Sequence, residues 1–234
     1  MAAVKFYCSW FCPFAQRAWI SLLEKNVPFD YEEIDPYNKT SEFLSVNPRG
    51  LVPVIIQGQR SVYESSVCIE FVDEAWPGDP GLMPSDPWKR AESRILGDFI
   101  SKKIVPTYYQ ILQRQDKTQQ NEAKETMLKH LKDLCQLMSK EGPFMLGKTM
   151  GYPDIMLVPF TLRFYVLKHY RDFVIPETTE FDRLREWMTA CHAKDSVKKT
   201  VAETGRLLDK YQRYADNTAK TEVADAIRGG GVMP

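Results

Sequence analysis

The 234-residue chain has no net charge, because 31 basic and 31 acidic side chains balance. Without a global basic field, nothing draws it as a whole to nucleic acid or to a membrane. It lacks any apolar run approaching the roughly 18 residues of a membrane span, and no apolar signal segment opens it. His130, His169 and His192 share no paired spacing, so no metal site is expected. The five cysteines (Cys8, Cys12, Cys68, Cys135 and Cys191) are odd in number. They fit neither a disulfide framework nor paired Cys-x-x-Cys zinc ligands. Lys198-Lys199 is too short a basic run to suggest nucleic acid. What is present, 44% hydrophobic and 26% charged residues, suffices for a core and excludes wholesale disorder. The expectation is a cytoplasmic globular protein with free thiols.

The chain changes habit near residues 76–87, where Trp76-Pro-Gly-Asp-Pro-Gly and Pro84-Ser-Asp-Pro can continue neither a helix nor a central strand. Residues 1–81 alternate strand and helix patterns. Val4–Cys8 reads as a buried strand, and Pro13 opens a helix through Lys25 with Ala15, Ala18, Trp19, Leu22 and Leu23 as its apolar stripe. Phe29–Ile34 reads as a second strand and Thr40–Val46 as a short helix. Val52–Gln57 and Arg60–Tyr63 form a hairpin about Gly58, and Ser65 and Ser66 cap a helix through Ala75. This is a βαβαββα order. After a linker at 82–87, residues 88–234 repeat apolar positions at helical spacing and predict an all-α half of five or six helices. From Ala215 onward, with Gly229-Gly-Gly, the chain reads as a polar, mobile tail. The fold class is α+β. Residues 1–81 carry 6 basic and 11 acidic groups and residues 82–234 carry 25 and 20. That asymmetry is either chance segregation of solvated charge or complementarity between unlike halves of two subunits.

The chemistry concentrates in Cys8-Ser-Trp-Phe-Cys12-Pro13-Phe14-Ala15-Gln16-Arg17. A thiol on the loop just before a Pro-initiated helix meets unpaired backbone N–H groups and the positive end of the helix dipole, which favour a nucleophilic thiolate. A packed structural cysteine is the plainer alternative. The partner of a thioredoxin-type Cys-x-x-Cys pair would stand at position 15, which is Ala15. A mixed disulfide at Cys12 therefore needs an external thiol to resolve it. Cys8 reads as a packed strand residue.

Two further features suit a small peptide. Val52-Pro53 precedes an apolar strand, where proline implies a cis bond or a sheet edge, and a cis bond would turn the Val52 amide and carbonyl toward an extended ligand. Glu64-Ser65 stands at a strand-to-helix junction. There Ser65 is either a plain cap or, with the helix N-terminus, a carboxylate site, and Glu64 can pair with an ammonium.

Four stretches, Phe11-Cys12-Pro13-Phe14-Ala15-Gln16-Arg17, Asn47-Pro48-Arg49-Gly50-Leu51-Val52-Pro53-Val54, Tyr63-Glu64-Ser65-Ser66 and Gly151-Tyr-Pro-Asp154, resemble the glutathione transferase superfamily. The Cys-Pro-Phe-Ala turn is most similar to its cysteine-type omega class. The resemblance implies a thioredoxin-like glutathione-binding domain over 1–81 and a helical domain over 88–234 bearing the second-substrate site. It implies a glutathione-dependent thiol transferase and dehydroascorbate reductase, with glutathione as cosubstrate and a small disulfide or electrophile as second substrate, assembled as a homodimer. Cys12 would form the mixed disulfide and Phe14 would pack beside it. Lys39 would face the glycyl carboxylate, and Leu51, Val52 and a cis Pro53 the cysteinyl unit. Glu64 and Ser65 would hold the γ-glutamyl end. Asp154 would cap the central helix of the second domain, although Gly151 stands where the family has Ser or Thr. Two other readings are a non-catalytic regulator of the same fold and a conjugating transferase. Tyr108, Tyr109, Phe160, Phe164 and Tyr165 either line the second pocket or, as their helical spacing favours, pack the core.

Overall fold

The computed structural model describes residues 3–78 and 81–230. A strand β1 (Val4–Cys8) leads into helix α1 (Pro13–Glu24), then β2 (Phe29–Glu33), α2 (Ser41–Val46), β3 (Val54–Gln57), β4 (Arg60–Tyr63) and α3 (Ser65–Ala75). The four strands form one sheet in the order β2-β1-β3-β4. β1 runs parallel to β2 and antiparallel to β3, with Phe6 opposite Tyr31 on one side and Ile55 on the other. The βαβαββα order and the α+β class expected from the sequence are those observed.

Beyond the Pro/Gly segment, of which residues 79–80 lie outside the description, the chain is helical. α4 (Pro87–Phe99) is capped by Asp86, whose carboxylate accepts from the Lys89 amide at 2.9 Å. It continues through a π-helical turn (Ile100–Ile104) into α5 (Val105–Gln113). Pro106 has no amide to donate and its ring cannot pack against the carbonyl four residues back, so the helix widens there. Next come α6 (Lys117–Leu137), α7 (Tyr152–Thr161), α8 (Phe164–Arg171), α9 (Asp182–Ala193), α10 (Asp195–Lys198), α11 (Thr204–Ala215) and α12 (Glu222–Gly229). The half thus holds nine helices among the described residues rather than five or six. The short α8, α10 and α12 have too few turns to show a clear apolar period.

α12 overturns the expected mobile tail as far as Gly230; residues 231–234 lie outside the description. Thr221 caps it by accepting from the Ala224 amide at 3.1 Å. Ala224 is fully buried, and its carbonyl receives Gln113 Nε2 from α5 at 2.7 Å.

α7 is the axis of the helical half, with all ten of its residues buried. Asp154 accepts from the amides of Gly151 and Met145, both at 2.8 Å, and from Trp187 Nε1 at 2.6 Å. One carboxylate thus satisfies three buried donors from three parts of the chain. Gly97 allows α4 to cross close by, since a Cβ there would fall 2.5 Å from the Tyr152 ring.

The two domains share α1. The expected stripe is only partly right: Ala15, Ala18 and Leu22 are buried, but Trp19 and Leu23 are only half-buried, while Gln16 and Arg17 are buried. The cause is that α1 lies between the sheet and α7 and has two covered faces. Its buried polar groups bond across the boundary, Gln16 Nε2 to Thr200 Oγ1 at 2.9 Å and Arg17 Nε to the Met156 carbonyl at 2.9 Å. The charge asymmetry is partly spent inside the chain: Lys194 pairs with Glu24 at 3.0 Å, Arg94 with Glu70 at 2.5 Å and Arg90 with Glu74 at 3.5 Å.

Candidate functional site

A cavity of about 980 Å³ opens between the domains, and all eight residues singled out in the sequence (Cys12, Phe14, Lys39, Leu51, Val52, Pro53, Glu64 and Ser65) line it. Cys12 occupies the cap position of α1, in an extended conformation (φ −79°, ψ 116°). Its Sγ accepts from the Ala15 amide at 3.5 Å, and Pro13 begins the helix. Nothing thiol-bearing stands at position 15. Cys8 is buried in β1 and, like the other four cysteines, is unbridged.

The electrostatics of Cys12 differ from the expectation. The amides of Ala15 and Phe14 and the guanidiniums of Arg163 and Arg17 favour its thiolate, but burial is the larger effect and leaves the thiol above its ordinary value. The helix end reduces the penalty of burial without reversing it. A ligand that brings its own charge and hydrogen bonds enters a site where the thiolate is disfavoured when empty.

Arg17 ends the Phe11–Arg17 stretch with no role assigned to it from the sequence, and Arg163, in the turn between α7 and α8, carries no sequence signal. Both are 2% exposed and neither pairs with a carboxylate among the described residues. Arg163 donates to the carbonyls of Pro159 and Phe11 and to Gln16 Oε1. Arg17 lines the cavity between the rings of Phe14 and Phe160, 5.1 and 5.2 Å from their centres, and its Nη1 donates to Ser65 Oγ at 3.1 Å. Its Nη2 has no partner among the described residues, and burial lowers its pKa to about 10. A buried cation beside the cavity lends this wall positive charge, although the spare Nη2 itself has no accessible surface.

Ser65 is therefore not the cap of α3. Glu64 takes that position with φ +68°, and Ser65 becomes the first helical residue, its hydroxyl accepting from Arg17. The Glu64 carboxylate faces the cavity and pairs with Arg49 at 2.5 Å. Val52-Pro53 is cis, and neither the amide nor the carbonyl of Val52 bonds to a described residue. Lys39 lies across Gly50, where φ is +63° and a Cβ would fall 2.9 Å from the lysine side chain, so this turn needs glycine. Together the groups offer a thiol, a free backbone edge, a carboxylate and two cations along one wall.

The far wall was not read from the sequence. α12 and the residues before it supply Lys220, Val223, Ala226 and Ile227, and α5 with its C-cap supplies Tyr109 and Arg114. Of the five aromatic residues considered for a second pocket, only Tyr109 lines the cavity. Tyr108 and Phe160 are buried in the core, and Phe164 and Tyr165 pack against it. The signal available was Thr221 as a cap followed by Val223, Ala226 and Ile227 at helical spacing.

A mixed four-stranded thioredoxin-like domain joined to an all-helical one, with a cavity between them, defines the glutathione transferase fold. Residues 11–75 match the family model for the glutathione S-transferase N-terminal domain, and residues 117–190 that for the C-terminal domain. Glutathione S-transferase U25 of Arabidopsis thaliana is 35% identical over 201 residues, covering 85% of this chain and 89% of the relative. Glutathione transferase Omega 3C from Trametes versicolor superposes with a TM-score of 0.85 at 35% identity, over 94% of each chain. A rice transferase in complex with glutathione superposes at 0.84 and 28% identity, over 93% of this chain and 98% of its own. The chain belongs to the glutathione S-transferase family.

Proposed function

We propose that this protein is a glutathione-dependent thiol transferase and dehydroascorbate reductase of omega-like type, with Cys12 as its nucleophile. The observation that carries the reading is Cys12 itself, a thiol at the start of α1, open to the cavity and without a second thiol at position 15. The 35% identity to an Omega transferase over 94% of each chain supports it.

In the proposed cycle the Cys12 thiolate attacks the glutathionyl sulfur of a mixed disulfide. The Cys12–glutathione S–S bond forms, the original S–S bond breaks, and the departing thiolate takes up a proton. A second glutathione thiolate then attacks the glutathionyl sulfur, leaving as glutathione disulfide and restoring Cys12. Glu64 takes the ammonium of the bound tripeptide and Ser65 its γ-glutamyl carboxylate. Val52 pairs with the cysteinyl backbone beside Leu51 and Pro53, Lys39 faces the glycyl carboxylate, and Phe14 packs beside the sulfur. Residues 1–81 form the glutathione domain, 82–87 the linker, and 88–234 the domain of the second substrate. Trp88, Ile95 and Val67 stand 79%, 65% and 51% exposed on α4 and α3, and this apolar face supports a homodimer.

A second reading, transfer of glutathione to an electrophile, draws on one observation. Burial keeps the Cys12 thiol protonated, and a protonated thiol can donate to the thiolate of a bound glutathione. Intact-mass spectrometry after incubation with glutathione disulfide separates the two. The thiol transferase gives one adduct, reversible by a dithiol reductant and absent in Cys12→Ser. A protein that binds glutathione without forming the adduct supports conjugation.

A further inference from the structure

The charges on the cavity wall are unevenly paired. Its three carboxylates all have cationic partners: Glu64 and Glu222 share Arg49, at 2.5 and 3.6 Å, and Asp225 pairs with Arg228. Of the lining cations, Lys102 pairs with Asp98 at 2.7 Å. Arg17, Lys39, Arg114 and Lys220 have no carboxylate partner among the described residues. In the proposed reading, Arg17 with Ser65 and Lys39 account for the two carboxylates of glutathione. That leaves Arg114 and Lys220, both on the helical side.

Arg114 has no structural task that explains it. It ends α5, where a basic side chain commonly bonds the last carbonyls. Here, however, Gln115 Nε2 takes the Gln113 carbonyl at 2.7 Å and Gln120 Nε2 takes that of Arg114, also at 2.7 Å. The half-buried guanidinium makes no hydrogen bond to a described residue, although it carries five donors. Lys220 stands at the rim just before α12. Tyr214, Val223 and Ile227 supply apolar surface to the same cavity.

We infer that, besides the uncharged dehydroascorbate, the pocket takes a second substrate that carries an anionic group on an apolar or aromatic body, and that Arg114, assisted by Lys220, holds that group. The inference rests on the proposed reading only in assigning Arg17 and Lys39 to glutathione. A carboxylate or sulfonate bound bidentately by Arg114 leaves its apolar part against Tyr214 and α12. A neutral molecule of the same shape leaves the guanidinium unpaired.

The test compares 8-anilinonaphthalene-1-sulfonate with the neutral N-phenyl-1-naphthylamine, by fluorescence titration of the glutathione-saturated full chain. The native protein is expected to prefer the sulfonate. Arg114→Gln is expected to weaken the sulfonate by roughly tenfold, the scale of one lost charge-assisted pair, and the neutral probe by less than about twofold. Lys220→Gln is expected to give a smaller loss, and Arg114→Lys, which keeps the charge but not the two-pronged fork, a loss between that of Arg114→Gln and none. Equal losses for both probes, or a sulfonate affinity indifferent to Arg114, would overturn the inference. Should Cys12 form no adduct while the sulfonate preference stands, the proposed function fails and the anion site survives. The opposite pair of results removes only the anion site.

Discussion

Arg17 Nη1 reaches Ser65 Oγ across 3.1 Å, tying the helix that carries Cys12 to the helix that begins at the far end of the same wall. Arg17 is 2% exposed and, among the described residues, has no carboxylate partner and one unpartnered nitrogen, so it is a charge held at a cost. Arg17→Met fills similar volume without the charge. It is expected to leave thermal stability within about 1 kcal/mol of native or to raise it. Glutathione affinity is expected to fall by roughly tenfold as a carboxylate loses its cation. Calorimetry on the empty and glutathione-bound protein measures both. An unchanged affinity would remove Arg17 from the site.

The Cys12 thiol lies above its ordinary value because burial outweighs the helix amides and the two guanidiniums. Its alkylation by iodoacetamide in the empty protein is therefore expected to keep accelerating with pH beyond about 8.5, where an ordinary thiol begins to level off. A plateau below pH 7 would mean that the helix end dominates. Mass mapping of the alkylated peptide distinguishes Cys12 from Cys135, the other cysteine that is not fully buried.

Asp154 is expected to carry the largest stability effect among the single residues described. Asp154→Ala leaves the Gly151 and Met145 amides and Trp187 Nε1 without an acceptor, for a loss of about 4 kcal/mol in denaturant unfolding. Burial raises its pKa from 3.8 to about 6 in the folded protein. The sign follows from which state holds the proton more tightly, here the folded one. This protonation-linked part of the stability is greatest below pH 4 and is lost as the pH rises through about 6, a component that Asp154→Asn should remove from the pH–stability curve.

The exposed apolar face of α3 and α4 predicts a second copy. Trp88→Glu with Ile95→Glu is expected to convert a dimer to a monomer in sedimentation velocity while leaving helical content unchanged. A monomeric native protein would contradict that assignment.

Much of the site was legible because its chemistry depends on local sequence. Cys12 before Pro13, Val52-Pro53 and Glu64-Ser65 each mark a junction between elements, and the fold gathers those junctions at one cavity. Arg17 was not legible, because a cation on an amphipathic helix normally points to solvent, and only packing on both faces of α1 buries it. α12 was missed for a different reason. Its eight residues span only about two turns, and its apolar side has meaning only against α5 and the cavity. The widened turn at Ile100–Ile104 depends on Pro106, a local signal that helical periodicity alone conceals.

Cys12 is proposed to carry a glutathione-dependent disulfide exchange. Steady-state reduction of a small glutathionyl mixed disulfide and of dehydroascorbate, native protein against Cys12→Ala, tests it most directly. Turnover is expected in the native protein and its loss in the variant, with glutathione still binding both. Equal rates in the two proteins would contradict it.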